Sequence, residues 1–185
     1  MKYIKIFPLL LSLVLIGMAC ETEMIDKLDT FTLPNGGYMR TVTPFPVVLT
    51  TTFKVSKKNM GGTKLELVAE AVTPEQGSKF ASYELEMRFV GATTTAYKAF
   101  RSIPASSYSK DATTGYPRHT LVITGTEAMT AMALDTSKIK TGDRFEVLAT
   151  MKLTDGQTFS AANSGLNLTG DFYSSPFRYY LNVIE

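Results

Sequence analysis

Residue types that carry out catalysis are scarce in this chain of 185 residues, which has one histidine and one cysteine. His119 falls on the expected inward face of an alternating stretch, and no Gly-x-Ser-x-Gly nucleophile motif accompanies it. Glu84 and Glu86 share one face of a single strand beside Arg88. Glycoside hydrolysis instead needs two acids that face each other across a cleft. The sequence therefore predicts no catalytic residues, and we interpret the chain as a protein that is not an enzyme.

Metal and nucleotide sites are not indicated by the sequence either. It has no second cysteine, no histidine pair and no Asp-x-Asp loop of the calcium-binding type. Asn163, Asn167 and Asp171 fall in one loop and could contribute oxygen ligands, but we do not interpret them as a metal site. The sequence predicts no metal and no cofactor.

The cysteine, Cys20, stands at the end of an apolar run and is followed at once by acids, in the sequence LIGMACETE. Residues 6–18 are nearly all apolar and too few to span a bilayer, which is the layout of an exported precursor. Residues 16–20 resemble a bacterial lipobox, in which a peptidase cuts before the cysteine and diacylglycerol is attached to its sulfur. Gly17 stands where leucine is usual, and an ordinary signal peptide is the alternative. We predict a signal peptide over residues 1–19 and a lipid on Cys20.

The net positive charge of the full sequence comes from its predicted export signal. The full sequence has 19 lysines and arginines against 17 acids, and removal of Lys2 and Lys5 with the signal leaves 17 of each. A domain of zero net charge without a basic cluster does not attract nucleic acid. We therefore expect no nucleic-acid partner.

Residues 20–37 are expected to be a flexible acidic tether that ends in turn-forming residues. An acidic patch after the lipidated cysteine marks some Bacteroidota lipoproteins for the outside of the outer membrane, and Glu21 and Glu23 resemble that signal. The expected location is the outer membrane, with a lipid anchor on Cys20 and the domain facing the cell exterior. A multiply acylated cysteine holds a domain firmly, because each buried CH₂ contributes about 0.8 kcal/mol.

Period-two alternation dominates from residue 46 onward. Strands with one buried and one wet face require this pattern, because successive side chains point to opposite faces of a sheet. The stretches predicted as strands are residues 47–55, 63–71, 83–89, 119–124, 145–153, 157–160 and 177–183.

Two local signals complete the predicted fold. Residues 124–134 have helical spacing with a threonine cap, and Asp155-Gly156 predicts a two-residue hairpin turn. Some seven short strands with one connecting helix predict an all-β fold over residues 38–185. We interpret it as an antiparallel β-sandwich of immunoglobulin-like type, with a closed barrel as the alternative.

A binding surface is more plausible than catalysis. Residues 91–117 are polar and carry three tyrosines, and long loops on a rigid sandwich are where such folds place recognition. We predict Tyr97, Tyr108 and Tyr116 as candidate ligand-binding residues, because exposed tyrosines stack on sugar rings or anchor a protein partner. The alternative is that these rings cover the edge of the sandwich.

Several stretches in order resemble a set of small Bacteroidota surface lipoproteins often encoded beside transporters like those of the starch-utilisation system (Sus). The resemblance covers most of residues 40–185, and the stretches that carry it are residues 103–106, 117–124, 127–129, 153–160 and 174–179. It implies an accessory subunit or ligand-binding component of a Sus-like complex that takes up a glycan or peptide. The implied partners are a TonB-dependent transporter and its lid lipoprotein. The alternative is an adhesin or pilus-type structural lipoprotein.

Overall fold

The computed structural model describes residues 36–164 and 177–185. The predicted signal peptide, Cys20 and nearly all of the predicted tether lie outside the described residues. Asn167 and Asp171 also lie outside them. Within the described part of the chain, no helix is long and apolar enough to cross a membrane.

The strands of the described residues form two sheets, and all of their pairs except one are antiparallel. Sheet 1 contains, in spatial order, β1 (Tyr38–Thr43), β3 (Lys64–Val72), β7 (Pro117–Thr124) and β6 (Ser109–Lys110). Sheet 2 contains, in spatial order, β2 (Lys54–Ser56), β10 (Arg178–Ile184), β8 (Arg144–Leu153), β4 (Phe80–Val90) and β5 (Lys98–Pro104), and β9 (Thr158–Ser160) pairs with β8. The β2–β10 pair is the parallel one.

One hydrophobic core lies between the sheets. The alternating apolar residues point into it from both sides, as the period of two requires. A chain of hydroxyl groups joins the sheets there: the Tyr179 hydroxyl lies 3.2 Å from that of Tyr83 and 3.3 Å from that of Thr41. The all-β, two-sheet prediction is confirmed, while the immunoglobulin-like type stays a prediction. The largest fully buried core side chains include Leu65, Leu67, Tyr83, Leu85, Met87, Leu121, Ile123, Phe145 and Tyr179.

The described residues contain one α-helix, α1 (Gly125–Ala131), and three short 3₁₀ helices (Lys57–Asn59, Ala105–Ser107 and Thr136–Lys138). Thr124 caps α1: its hydroxyl accepts from the backbone N–H of Glu127 at 3.1 Å, and the Glu127 carboxylate accepts from the Thr124 N–H at 3.0 Å. This reciprocal capping box satisfies two of the N–H groups that a helix start leaves without partners. The prediction of a short helix with a threonine cap is confirmed.

Arg101 of β5 joins three elements at one edge of the sandwich. Its guanidinium donates to the backbone oxygen of Val122 on β7 at 3.0 Å and to the carboxylate of Glu127 on α1 at 2.7 Å. The β4–β5 pairing is irregular at this point, because Leu85 pairs with Arg101 and Glu86 with Ala99, which leaves Phe100 as the bulged residue. The bulge is a local extra residue in the edge strand.

The predicted strand over residues 47–55 is wrong for most of its length. Only Lys54–Ser56 is a strand, and residues 49–51 form a turn. The Thr52 hydroxyl accepts from the Val48 N–H at 2.7 Å, and the Thr52 N–H donates to the Val48 oxygen at 2.9 Å. Threonine side chains compete with sheet pairing in this way, so an alternating pattern alone did not decide the conformation.

The predicted long loop over residues 91–117 is also wrong in part, because β5 and β6 lie within it. Strand β5 is an edge strand that pairs with β4 on one side, and among its residues only Ile103 is buried. An edge strand with so little buried surface shows no clear alternation in its sequence.

Candidate functional site

Two of the three predicted tyrosines are held by contacts with other side chains of the protein. Tyr108 is 9% exposed, and its ring packs edge-on against Phe80 at 4.7 Å between centroids. The His119 ring is tilted against it at 5.1 Å. Burial raises the pKa of Tyr108 well above its usual value, because phenolate is poorly solvated there. The interpretation of Tyr108 as an exposed ligand platform is therefore wrong. His119 is half-buried, with Nδ1 3.0 Å from the Ser107 oxygen, which is a structural role.

Tyr97 is half-buried and fixed by charged neighbours. Its hydroxyl donates to the Glu146 carboxylate at 2.9 Å, and the Arg88 guanidinium lies 4.5 Å from its ring centroid. Burial, followed by the hydrogen bond to Glu146, raises the pKa of Tyr97 to about 12. Tyr97 is therefore less available to a ligand than the sequence suggests, because Arg88 covers its ring and its hydroxyl is already hydrogen-bonded to Glu146.

Tyr116 is the predicted tyrosine that lines an open cleft. The cleft has a volume of about 450 Å³, and its aromatic walls are Tyr38, Tyr116 and Phe159. It lies where the start of β1, the β3–β4 turn, the loop before β7 and the β8–β9 hairpin meet. The remaining lining residues are Gly36, Gly37, Val72, Thr73, Pro74, Asn163 and Ser164.

The loop that carries Tyr116 is fixed by a buried ion cluster, which we call the Glu70 cluster (Arg40, Glu70, Asp111, Thr114 and Arg118). Glu70 lies on the outer face of sheet 1, is 0% exposed, and pairs across the strands with Arg40 on β1 and Arg118 on β7. Arg118 donates to the Glu70 carboxylate and to that of Asp111, at 2.6 Å each. Arg40 also donates to Glu70, and the Thr114 hydroxyl donates to it at 3.0 Å.

Asp111 closes this loop from its other end. Its carboxylate accepts from the backbone N–H of Thr114 at 2.9 Å and of Thr113 at 3.2 Å, while the Asp111 N–H donates to the Tyr116 oxygen at 3.0 Å. Hydrogen bonds, that from the Thr114 N–H first, hold the pKa of Asp111 below its ordinary value. The Tyr116 backbone is therefore positioned in advance of any ligand.

Glycine allows the β3–β4 turn to lie against this loop. Gly77 has φ of +81°, and a Cβ built there would collide with the Pro117 ring. Gly115 has φ of +73°, and a Cβ there would lie 3.0 Å from the Gln76 side chain. Both positions need a positive φ and a close approach, which glycine alone provides without strain. The cleft walls are thus fixed by packing as well as by charge.

A second buried carboxylate lies on the outer face of sheet 2, in what we call the Glu146 cluster (Arg88, Tyr97, Arg144, Glu146 and Tyr180). Glu146 is 1% exposed and accepts from Arg88 and Arg144 through Nε at 2.7 Å each. The Arg144 guanidinium lies 4.8 Å from the Tyr180 ring centroid. Both arginines are therefore clamped between a carboxylate and an aromatic ring.

The described residues show how the other candidate groups are placed. Glu84 accepts from the hydroxyls of Ser82 at 2.6 Å and Ser102 at 3.0 Å, and Glu86 is exposed on the same outer face.

No group of three or more histidine, cysteine, aspartate and glutamate side chains suited to a metal ion occurs among the residues the structure describes. The sequence did not single out Glu70 or Glu146, because alternation assigns both to the wet faces of their strands.

In comparisons with known proteins, no family model matches the chain, and no curated protein matches it.

Proposed function

We propose that this chain is a lipid-anchored, non-enzymatic β-sandwich of the outer-membrane surface that serves a Sus-like nutrient-uptake complex. Its partners are a TonB-dependent transporter and its lid lipoprotein, and its ligand is a glycan or peptide. The aromatic cleft of Tyr38, Tyr116 and Phe159 is the observation that carries the binding role. The lipobox-like residues 16–20 support the location.

The cleft has the properties of a small-ligand site. Its volume of about 450 Å³ falls within the roughly 300–1,000 Å³ that such sites occupy. Aromatic rings present flat apolar faces, on which the C–H face of a sugar ring or an apolar peptide side chain packs. Because the Glu70 cluster fixes the loop before binding, little ordering free energy is lost when a ligand enters.

Replacement of Tyr116 by alanine should weaken ligand binding by about tenfold or more, because it removes one aromatic wall of the cleft. The ligand would first be identified on an array of glycans and peptides with the full lipidated chain in detergent. Affinity would then be measured by calorimetry. Phe45→Ala is the matched control, since Phe45 is 62% exposed and lies outside the cleft. Equal affinity of Tyr116→Ala and the wild type would contradict the assignment of the cleft.

Replacement of Cys20 by alanine should abolish incorporation of a clickable fatty acid and move the chain out of the membrane fraction. Metabolic labelling followed by fractionation measures both results. Thr22→Ala, two residues later, should keep the lipid and serves as the control. A Cys20→Ala chain that is still labelled would contradict lipidation at this residue. Purification of the native lipidated form tests the partner: a transporter that never co-purifies would remove the subunit role.

A further inference from the structure

The loop between β1 and β2 (residues 44–53) presents apolar side chains to solvent. It consists of seven apolar residues and three threonines and contains no charged residue. In the described part of the chain three large apolar side chains are exposed, and two of them, Phe45 at 62% and Val48 at 46%, belong to this loop. The third is Ile184 of β10, at 40%. We call Phe45, Val48 and Ile184 the apolar tip.

The strand pairing places Ile184 at the same end of the sandwich as the loop. Strand β2 follows the loop directly and pairs in parallel with the end of β10, so that Ser56 lies opposite Ile184. Asn182, two residues earlier on β10, donates through its side-chain amide to the backbone oxygens of Leu49 at 2.9 Å and Phe53 at 3.1 Å. Exposed apolar side chains that cluster in this way mark interaction sites.

The loop is fixed in this exposed form. Its inward positions are filled by Val47 and Phe53, which are buried in the core. The Val48 N–H donates to the Thr52 hydroxyl at 2.7 Å, and the Thr52 N–H donates to the Val48 oxygen at 2.9 Å. Phe45 and Val48 therefore stay in contact with water in the isolated domain, although burial of apolar surface is favourable.

The apolar tip is too small for a stable protein interface. Its three side chains expose roughly 250 Å² of apolar surface, since a whole aromatic side chain offers about 150–250 Å². A stable protein complex buries about 800 Å² of each partner. A lipid bilayer needs no such area, because its headgroup boundary takes up a few apolar side chains at a time.

The charged residues around the tip are mostly paired with one another. Lys58 pairs with Glu185 at 3.0 Å, and Lys64 pairs with Glu66. Lys54, the first residue after the loop, is exposed. Apolar contact rather than electrostatic attraction must therefore dominate at this end of the molecule, and salt should have little effect on it.

We infer that the apolar tip inserts into the surface of the lipid bilayer that holds the lipid on Cys20. The fifteen residues 21–35 separate Cys20 from the described chain, and a chain of that length reaches about 50 Å when fully extended. Strand β1, with six residues, separates the entry of the chain from the loop and is only about 20 Å long. The chain is therefore long enough for the tip and the lipid to reach one membrane.

This contact would determine which end of the domain faces the membrane. The aromatic cleft is lined by Gly36, Gly37 and Tyr38 at the start of β1, whereas the loop follows the end of β1. With the tip in the bilayer, the cleft faces away from it and is open to a ligand. The inference rests on the lipid anchor of the proposed function and adds a second membrane contact, and two such contacts hold a protein more stably than one.

A single tryptophan tests the contact, because the chain has none of its own. The full lipidated chain with Phe45→Trp would be reconstituted into phosphatidylcholine vesicles with brominated acyl chains. Its emission should shift to shorter wavelength and be quenched by the bromine atoms, at low and at high salt alike. Ser106→Trp is the control and should show neither effect, because Ser106 is exposed and follows the end of β5 that lies at the opposite end of the sandwich.

A second substitution tests the chemistry of the tip. Val48→Asp in the Phe45→Trp protein should remove the quenching, because an ionised carboxylate is costly to take out of water. Val48→Leu in the same protein should keep it. Both side chains are exposed in the wild type, and thermal unfolding verifies that each variant is folded.

Absence of quenching in Phe45→Trp, equal quenching in Ser106→Trp, or quenching that Val48→Asp leaves unchanged overturns the inference. A shift that appears only with a co-purified transporter, without quenching by the vesicles, overturns it in favour of a protein contact. A chain with lipid on Cys20 and no quenching overturns the inference alone, while the anchor stands. If Cys20 carries no lipid and the chain stays out of the vesicles, the anchor fails as well.

Discussion

Replacement of Glu70 by glutamine should lower the free energy of unfolding by about 3 kcal/mol, the lower end of the range for breaking a buried ion pair. Glu70 is 0% exposed and accepts from Arg40, Arg118 and Thr114. Glutamine keeps the shape but turns a donor toward these donors and removes the charge that balances the arginines. The lower end applies because the Arg40 and Arg118 side chains are 38% and 27% exposed and water compensates in part.

Urea unfolding at neutral pH measures this change. Glu66→Gln is the matched control: it lies on the same outer face of β3, is exposed, and pairs with exposed Lys64. Its effect should stay within about 0.5 kcal/mol. The loop before β7 provides a second readout, because Lys110 precedes it and trypsin should cut there faster once Glu70 no longer holds Thr114 and Arg118. Equal stability of Glu70→Gln and Glu66→Gln would show that the cluster does not hold the sheet.

Replacement of Glu146 by glutamine should lower the free energy of unfolding at neutral pH by about 2–3 kcal/mol. Breaking a buried ion pair by removing one partner costs more than this, but both arginines here are about one-third exposed to water. The variant leaves Arg88 and Arg144 without their common anion, although the amide oxygen still accepts from Tyr97. Glu86→Gln, exposed on the neighbouring strand, should show no such loss. A Glu146→Gln protein as stable as the wild type would contradict the role of the cluster.

The same carboxylate predicts a dependence on pH. Burial alone would raise the pKa of Glu146, but hydrogen bonds from Arg144, Arg88 and Tyr97 outweigh it and hold the pKa below the ordinary value of 4.5. A depressed folded-state pKa contributes stability above the unfolded-state pKa, and this contribution is lost as the pH falls through the folded-state value. Urea unfolding between about pH 7 and about pH 3 should therefore show the difference between wild type and Glu146→Gln shrinking toward acid. A constant difference would contradict this account.

Alternation in the sequence predicted the central strands because those strands bury one whole face. Residues 83–89 and 145–153 lie within β4 and β8, and every second residue counted from Tyr83 and from Phe145 is a core residue of the structure. The cap of α1 could also be predicted from the sequence, because Thr124 and Glu127 contact each other within one helical turn. Local sequence carries both signals, so no knowledge of neighbouring strands was needed.

The features of the fold and of the candidate site that the sequence did not predict depend on contacts between strands. Glu70 and Glu146 occupy polar positions, and their burial follows from arginines that only the register brings opposite them. Tyr97 and Tyr108 looked free because Glu146 and Phe80, which hold them, are distant in sequence. The edge strand β5 was missed because it buries one residue, Ile103, among seven. Residue pairing, rather than residue type, decided each of these cases.

The contacts of Arg101 affect how the edge strand β5 separates from the rest of the sandwich. Edge strands ordinarily fray independently of the elements behind them, since their free energy of local unfolding is small. Here one guanidinium connects β5 to β7 and to α1, so separation of β5 from the sandwich also breaks contacts of the helix. We therefore expect β5 and α1 to open together, with the bulge at Phe100 as part of the same opening.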